Sequence, residues 1–273
     1  MVTVTVELIT RGEYTTKHVL DSLRYQTLTD FEVIAVNSSE SSKTTELLRN
    51  YGVQEIKVPQ NTGHLLSRYL ANINASGAYR LILDSTRPLI PRALELLSKK
   101  YGNVKATCIR EGSIGNGFWV EQSKKLRILS EMTYSRAIQE KAAFFLPRFY
   151  DGRVLNSAFH YLRTNIEEGL FNSISYGEHH LIFEACKLKS SEVSFTDEVL
   201  LNHYEDETLS EIYNKYRRYG EAQKILQKIG YRSNAKNLLS HMRMFSLNSV
   251  PLYFQTIPIR ALRTLSFLFG MLS

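Results

Sequence analysis

"YRLILDSTRPLIPRALELL", residues 79–97, carries the chain from an apolar run through a polar turn into a helical pattern. Leu81, Ile82 and Leu83 are apolar without alternation, which reads as a strand covered on both faces, and Asp84 stands where that covering stops. Ligands bind at the carboxyl ends of parallel strands, so an aspartate, two hydroxyls and Arg87 at this point mark a candidate site. Pro91 suits the first position of the helix that follows.

Upstream, strand and helix patterns alternate. "TVTVELI" is a strand, and Thr15 or Thr16 can cap a helix whose Val19, Leu20 and Leu23 share a face. "FEVIAV" is a buried strand, and "SSKTTELLRNYG" is a short helix that Gly52 is placed to end. A brief strand over 53–58 leads through "PQNTGH" to a helix carrying Leu65, Leu66, Tyr69, Leu70 and Ile73. "VKATCIR" is a further strand. Helices between strands at these lengths imply right-handed crossovers and a mostly parallel sheet.

Past residue 111 the pattern loosens. "EGSIGNGFWVEQ" reads as a turn feeding a strand, and 120–145 is polar with helical spacing. A helix starts near Glu178 with Leu181, Ile182 and Ala185 on one face, and "HYEDETLSEIYNKYRRYGEAQKIL" is a long charged helix with Leu209, Ile212 and Tyr216 at core spacing. These patterns divide the chain into 1–110, 111–220 and a helical extension over 221–273.

The 34 Lys and Arg against 27 Asp and Glu give +7 and favour phosphates or anionic surfaces. No concentrated basic run or recognition motif points to nucleic acid. Two distant cysteines, Cys108 and Cys186, argue against a disulfide framework or a zinc site and for a cytoplasmic setting. The segment 241–273 is apolar and aromatic with interspersed Arg243, Arg260 and Arg263, and is too short after Pro258 to span a bilayer. It reads either as an interfacial helix, peripheral on the inner face of the plasma membrane, or as a helix docked on the domain or in a dimer contact.

The succession of "TVELITRGEYTTKHVLDSLRYQTLTDFEVIAVNSSESSKTTELL", "NTGHLLSRYLANINASGAYRLILDS" and "YGEHHLIFEA" resembles the family 2 glycosyltransferases of GT-A fold. The resemblance covers residues 3–97 well and 140–220 more loosely. It implies an α/β, Rossmann-like sheet flanked by helices, a nucleotide-diphosphate-sugar donor, a sugar or lipid-linked acceptor, inversion, and usually Mg²⁺ or Mn²⁺. A non-catalytic nucleotide-sugar-binding protein of the same fold is the alternative, since three family positions are altered here.

On that resemblance, Thr10 and Asn37 take the nucleoside-binding places, the latter an amide where the family has an acid. Arg68 matches the arginine of the helix after the Asn-x-Gly loop. The family's Asp-x-Asp becomes Asp84, Ser85 and Thr86, so the second acid is a hydroxyl, a poor anchor for a hard dication. Either Arg87 supplies the missing charge to the diphosphate, or Asp84 holds a metal with help from His203. The catalytic base falls to Glu178 or His179, the latter standing where the family pattern has an aspartate. Trp119 and the aromatics near Tyr150 are the acceptor candidates, since rings stack on sugar faces.

Overall fold

The computed structural model describes residues 2–139, 146–230 and 250–273, the side chains of 131–139 and 250 excepted. The elements run β1 (Val4–Thr10), α1 (Thr16–Arg24), β2 (Phe31–Asn37), α2 (Ser42–Asn50), β3 (Gln54–Lys57), α3 (His64–Ile73), β4 (Tyr79–Asp84), α4 (Ala93–Tyr101) and β5 (Ala106–Ile114). They continue as α5 (Phe118–Gln139), β6 (Phe149–Asp151), α6 (Gly152–Asn165), α7 (Glu168–Ser173), α8 (Glu178–Lys187), β7 (Val193–Tyr204), α9 (Leu209–Lys228), α10 (Val250–Gln255) and α11 (Ile257–Leu272).

Seven strands form one sheet in the order β3-β2-β1-β4-β6-β5-β7. β1 pairs in parallel with β2 and β4, and β2 with β3, while β6 is antiparallel to both β4 and β5. Of the runs read as covered strands, Leu81, Ile82 and Leu83 of β4 are fully buried, whereas β2 is buried only over 34–37, its Phe31, Glu32 and Val33 being half-buried. β1, read simply as a strand, is buried at every residue. Val19, Leu20 and Leu23 of α1 and Leu94 and Leu97 of α4 join the same core.

The chain forms two compact units. One holds Met1–Gly112 with Pro147–His203, the other Ser113–Leu146 with Tyr204–Ser273. This differs from cuts at 110 and 220, because β6 returns to lie between β4 and β5 and β7 completes the sheet.

Local readings change at four places. β5 runs on to Ile114, and the glycine turn after it feeds helix α5 rather than a strand, because the polar and apolar spacing from Glu121 onward has a helical period. Residues 140–145 of that expected helix lie outside the described residues. Pro91 precedes the helix it was expected to begin: α4 starts at Ala93 behind Arg92, and the Pro91 carbonyl accepts from the Thr27 amide at 2.9 Å. Leu209 is exposed, since it opens α9, whereas Ile212 one turn on is buried. α9 is started by a capping box: Thr208 Oγ1 accepts from the Glu211 amide at 3.2 Å, and Glu211 Oε2 accepts from the Thr208 amide at 2.9 Å.

In the second unit α9 and α11 cross at two glycines. A Cβ on Gly220 would fall 2.1 Å from the Phe267 carbonyl oxygen, and one on Gly270 would fall 1.9 Å from that of Arg217. Backbone cannot give way as a side-chain tip can, so the helices must part to admit even a methyl. Gly270→Val should lower stability by about 2 kcal/mol or more despite the better helix propensity of the new residue. Urea unfolding checks this, and an unchanged midpoint would show that the crossing is loose.

Candidate donor site

The carboxyl ends of β1, β2 and β4 lie side by side, with Thr10 opposite Asn37 and Ile9 opposite Asp84. Asp84 therefore emerges where strand coverage ends, and it is surrounded by cations. Arg68 Nη2 donates to its Oδ1. Arg87 Nη1 and Arg148 Nη1 donate to Oδ2 at 2.5 and 3.2 Å. The Nε groups of Arg87 and Arg148 then converge on Glu111 Oε1 at 3.3 and 3.0 Å. Burial works to raise the Asp84 carboxyl, but Arg148, Arg87 and Arg68 outweigh it and hold it well below the ordinary range. Three guanidiniums against two carboxylates leave a cationic surplus at the strand ends.

Arg68 is not a surface residue. It is fully buried, and its Nη1 also donates to the carbonyls of Leu83 at 2.8 Å and Glu7 at 3.1 Å, so it braces α3 against β4 and β1. Glu7, buried at the centre of β1, is pushed up to about 8 by burial against the pull of Arg68 and Arg80.

Beside this cluster, Gly177 takes a left-handed conformation (φ +82°) that a glycine adopts without strain and turns the chain into α8. Glu178, the first residue of the helix, is buried. Its Oε1 lies 3.8 Å from His64 Nδ1 and 3.6 Å from His179 Nε2. Burial drives its carboxyl up to about 7; Arg68 opposes the rise and Asp84 adds to it. His179 moves the other way: burial first, then Arg148 and Arg68, hold its imidazole well below the ordinary range and therefore neutral. Both its ring nitrogens are buried without a hydrogen-bond partner among the described residues. His64 is lowered to about 3 by burial with Arg11 and Arg68 nearby.

The other expected site residues fare differently. Thr86 sits beside the cluster, its hydroxyl 3.4 Å from Arg87 Nη1. Thr10 turns its hydroxyl into its own loop, 2.9 Å from Thr16 Oγ1 and 3.1 Å from Glu13 Oε2. Asn37 is buried, its amide donating to Glu55 Oε1 at 2.6 Å and its Oδ1 accepting from the Ser39 amide at 2.8 Å. It shapes the 37–39 turn, and Glu55 supplies an acid next to it. Tyr150 is corrected from an acceptor residue to a core residue: it is fully buried in β6, and its hydroxyl donates to the Pro147 carbonyl at 2.9 Å. Trp119 belongs to α5 in the other unit, edge-on to Phe118. His203 is buried at the end of β7. Arg148, Glu111 and His64 were not singled out from sequence; an arginine inside the aromatic run "FFLPRFY" was the available sign.

A mostly parallel sheet with helices on its flanks and a charged cluster at its strand ends is the architecture of the GT-A glycosyltransferases. S. aureus TarS in complex with UDP-GlcNAc superposes with TM-score 0.55 at 16% identity, over 98% of this chain and 89% of that one. A second S. aureus TarS structure gives 0.54 at 18%, over 97% of this chain and 52% of that one, so the chain spans about half of that protein's length. Glucosyl-3-phosphoglycerate synthase from Mycobacterium tuberculosis with Mn²⁺, UDP-glucose and phosphoglyceric acid gives 0.51 at 18%, over 85% and 81%. No curated protein matches the sequence. The profile of Glycosyl transferase family 2 matches residues 10–154, and the chain belongs to that family.

The donor set at Asp84 does not fit the divalent ion found in the mycobacterial enzyme. Both Asp84 oxygens already accept from guanidiniums, and the second acid is Thr86. No group of three or more His, Cys, Asp or Glu stands together among the described residues. A dication wants several hard oxygen ligands and would here meet three arginines instead.

Proposed function

We propose that the protein transfers a sugar from a uridine-diphosphate sugar to a hydroxyl of a sugar or lipid-linked saccharide in the cytoplasm, with inversion at the anomeric carbon. The observation that carries the reading is a buried carboxyl at the start of α8 beside the arginine cluster at the strand ends. Ionised Glu178 takes the proton of the acceptor hydroxyl as its oxygen attacks the anomeric carbon. The bond from that carbon to the diphosphate oxygen breaks, and the leaving diphosphate gathers charge that Arg87 and Arg148 stabilise. Neutral His179 orients the donor sugar by hydrogen bonding. Arg68 acts through Asp84, holding it toward the ribose.

Titrating UDP calorimetrically into the protein in EDTA, and again with Mn²⁺, tests this. Binding should be independent of the ion, and Arg87→Ala and Arg148→Ala should each weaken it about tenfold or more, since a charged hydrogen bond is worth about 1.5–3 kcal/mol. Binding that requires Mn²⁺ would overturn the arginine clamp. Failure of UDP and of every nucleotide sugar to bind would overturn the transferase reading, and donor binding without any turnover would favour the non-catalytic alternative.

A further inference from the structure

The charge excess is confined to one unit. Met1–Gly112 with Pro147–His203 carries 19 Lys and Arg and 19 Asp and Glu, whereas Ser113–Leu146 with Tyr204–Ser273 carries 15 against 8, which is the whole +7. Within the latter, no Asp or Glu follows Glu221, while seven Lys and Arg do.

This same stretch bears an uncovered apolar stripe. α11 turns Ile259, Ser266 and Gly270 inward, and it leaves Ile257, Leu265, Leu268, Phe269 and Leu272 exposed on an arc of about 120° at 100° per residue. Phe254 of the preceding helix α10 is also exposed, at 63%, and Leu272 is 84% exposed. Neither arginine of α11 lies on the stripe: Arg260 projects about 60° outside its edge, and Arg263 projects to the inward face beside Gly270. Arg260 lies over the Tyr253 ring at 3.6 Å, and Arg263 lies over the Tyr216 ring at 4.9 Å and donates to Ser123 Oγ at 3.0 Å. No helix among the described residues is long and apolar enough to cross a membrane.

We infer that α11 docks the protein in the plane of an anionic bilayer, the charge of the inner leaflet of a plasma membrane, with Leu265, Leu268, Phe269 and Leu272 entering the acyl boundary. The unit's excess of 15 Lys and Arg over 8 Asp and Glu then favours an anionic lipid surface over a neutral one, as expected of an interfacial helix. A second copy of this chain is the less suitable cover, because it would bring +7 against +7. The inference stands independently of the donor chemistry.

Co-sedimentation of the full chain with vesicles of phosphatidylcholine and phosphatidylglycerol tests it, against pure phosphatidylcholine and against raised salt. The protein should pellet with the anionic vesicles and several-fold less under the other two conditions. The exposed double variant Leu268→Glu/Phe269→Glu, checked for an unchanged melting curve, should lose at least about tenfold in partitioning. No pelleting with anionic vesicles, or pelleting that the double variant leaves unchanged, would overturn the proposal. So would a dimer in sedimentation velocity that the double variant dissolves while vesicle binding is absent.

Discussion

Glu178→Gln should lower kcat by about 10²–10⁴, the usual contribution of a general base, while UDP affinity stays within about threefold. The sign of the pH dependence follows from the base having to be ionised. With its carboxyl raised to about 7 by burial, Glu178 is increasingly protonated below neutrality. The wild-type kcat/KM should therefore fall about tenfold per pH unit below pH 7 and level off above it, and this limb should disappear in the variant. His179→Gln should keep the limb, because the imidazole is held neutral and does not titrate in that range. A loss below tenfold, or a limb that survives in Glu178→Gln, would remove Glu178 from the role.

Arg68→Leu should destabilise the fold by about 3–5 kcal/mol, the size expected when one partner of a buried ion pair is removed. The substitution strips Asp84 Oδ1 of the Arg68 donor, removes the guanidinium's bonds to the carbonyls of Glu7 and Leu83, and takes away one of the two cations beside Glu7. Urea unfolding reads the loss, and a change under about 1 kcal/mol would show the brace to be dispensable. Two carboxyls shape its pH dependence in opposite senses. Asp84 is held low in the fold, so its support is present above the unfolded value and is lost as pH falls through the native one. Glu7 is held up to about 8, so its support is present in acid and lost as pH rises from the unfolded carboxyl range through about 8. Without Arg68, Glu7 should titrate higher still and the acid loss due to Asp84 should shrink.

The first 110 residues were legible because β1 and the apolar run of β4 are buried on both faces and the crossovers are short. "LILD" and "VTVELIT" have one reading each, and pairing them in parallel puts Asp84 and Thr10 at one edge. Glu178 could be placed through the spacing of the family pattern. What escaped is what depends on partners distant in sequence. Nothing local distinguishes Arg148 from an exposed arginine until β6 pairs with β4 and β5, and nothing in "HLLSRYL" says that Arg68 points inward to two carbonyls rather than out to solvent. Tyr150 was misassigned for a related reason: an aromatic beside a turn signals a sugar platform and a three-residue core strand equally well. Asn37 looked like a ligand residue, but an amide at a strand end also satisfies its own turn.

Neighbouring strands β5 and β6 pair directly yet are separated in sequence by residues 115–148, so one segment of the second unit is an insertion in the chain between two adjacent strands. The entropy of closing such a loop grows only logarithmically, by about 0.6 kcal/mol for each doubling of length. Added length in the turns between these strands therefore costs the β5–β6 pairing little, provided that Phe149 and Tyr150 still pair and that α5, with its buried Val120 and Leu129, is kept. The fold can lengthen these turns over evolutionary time while Arg148 returns to the same place beside Asp84.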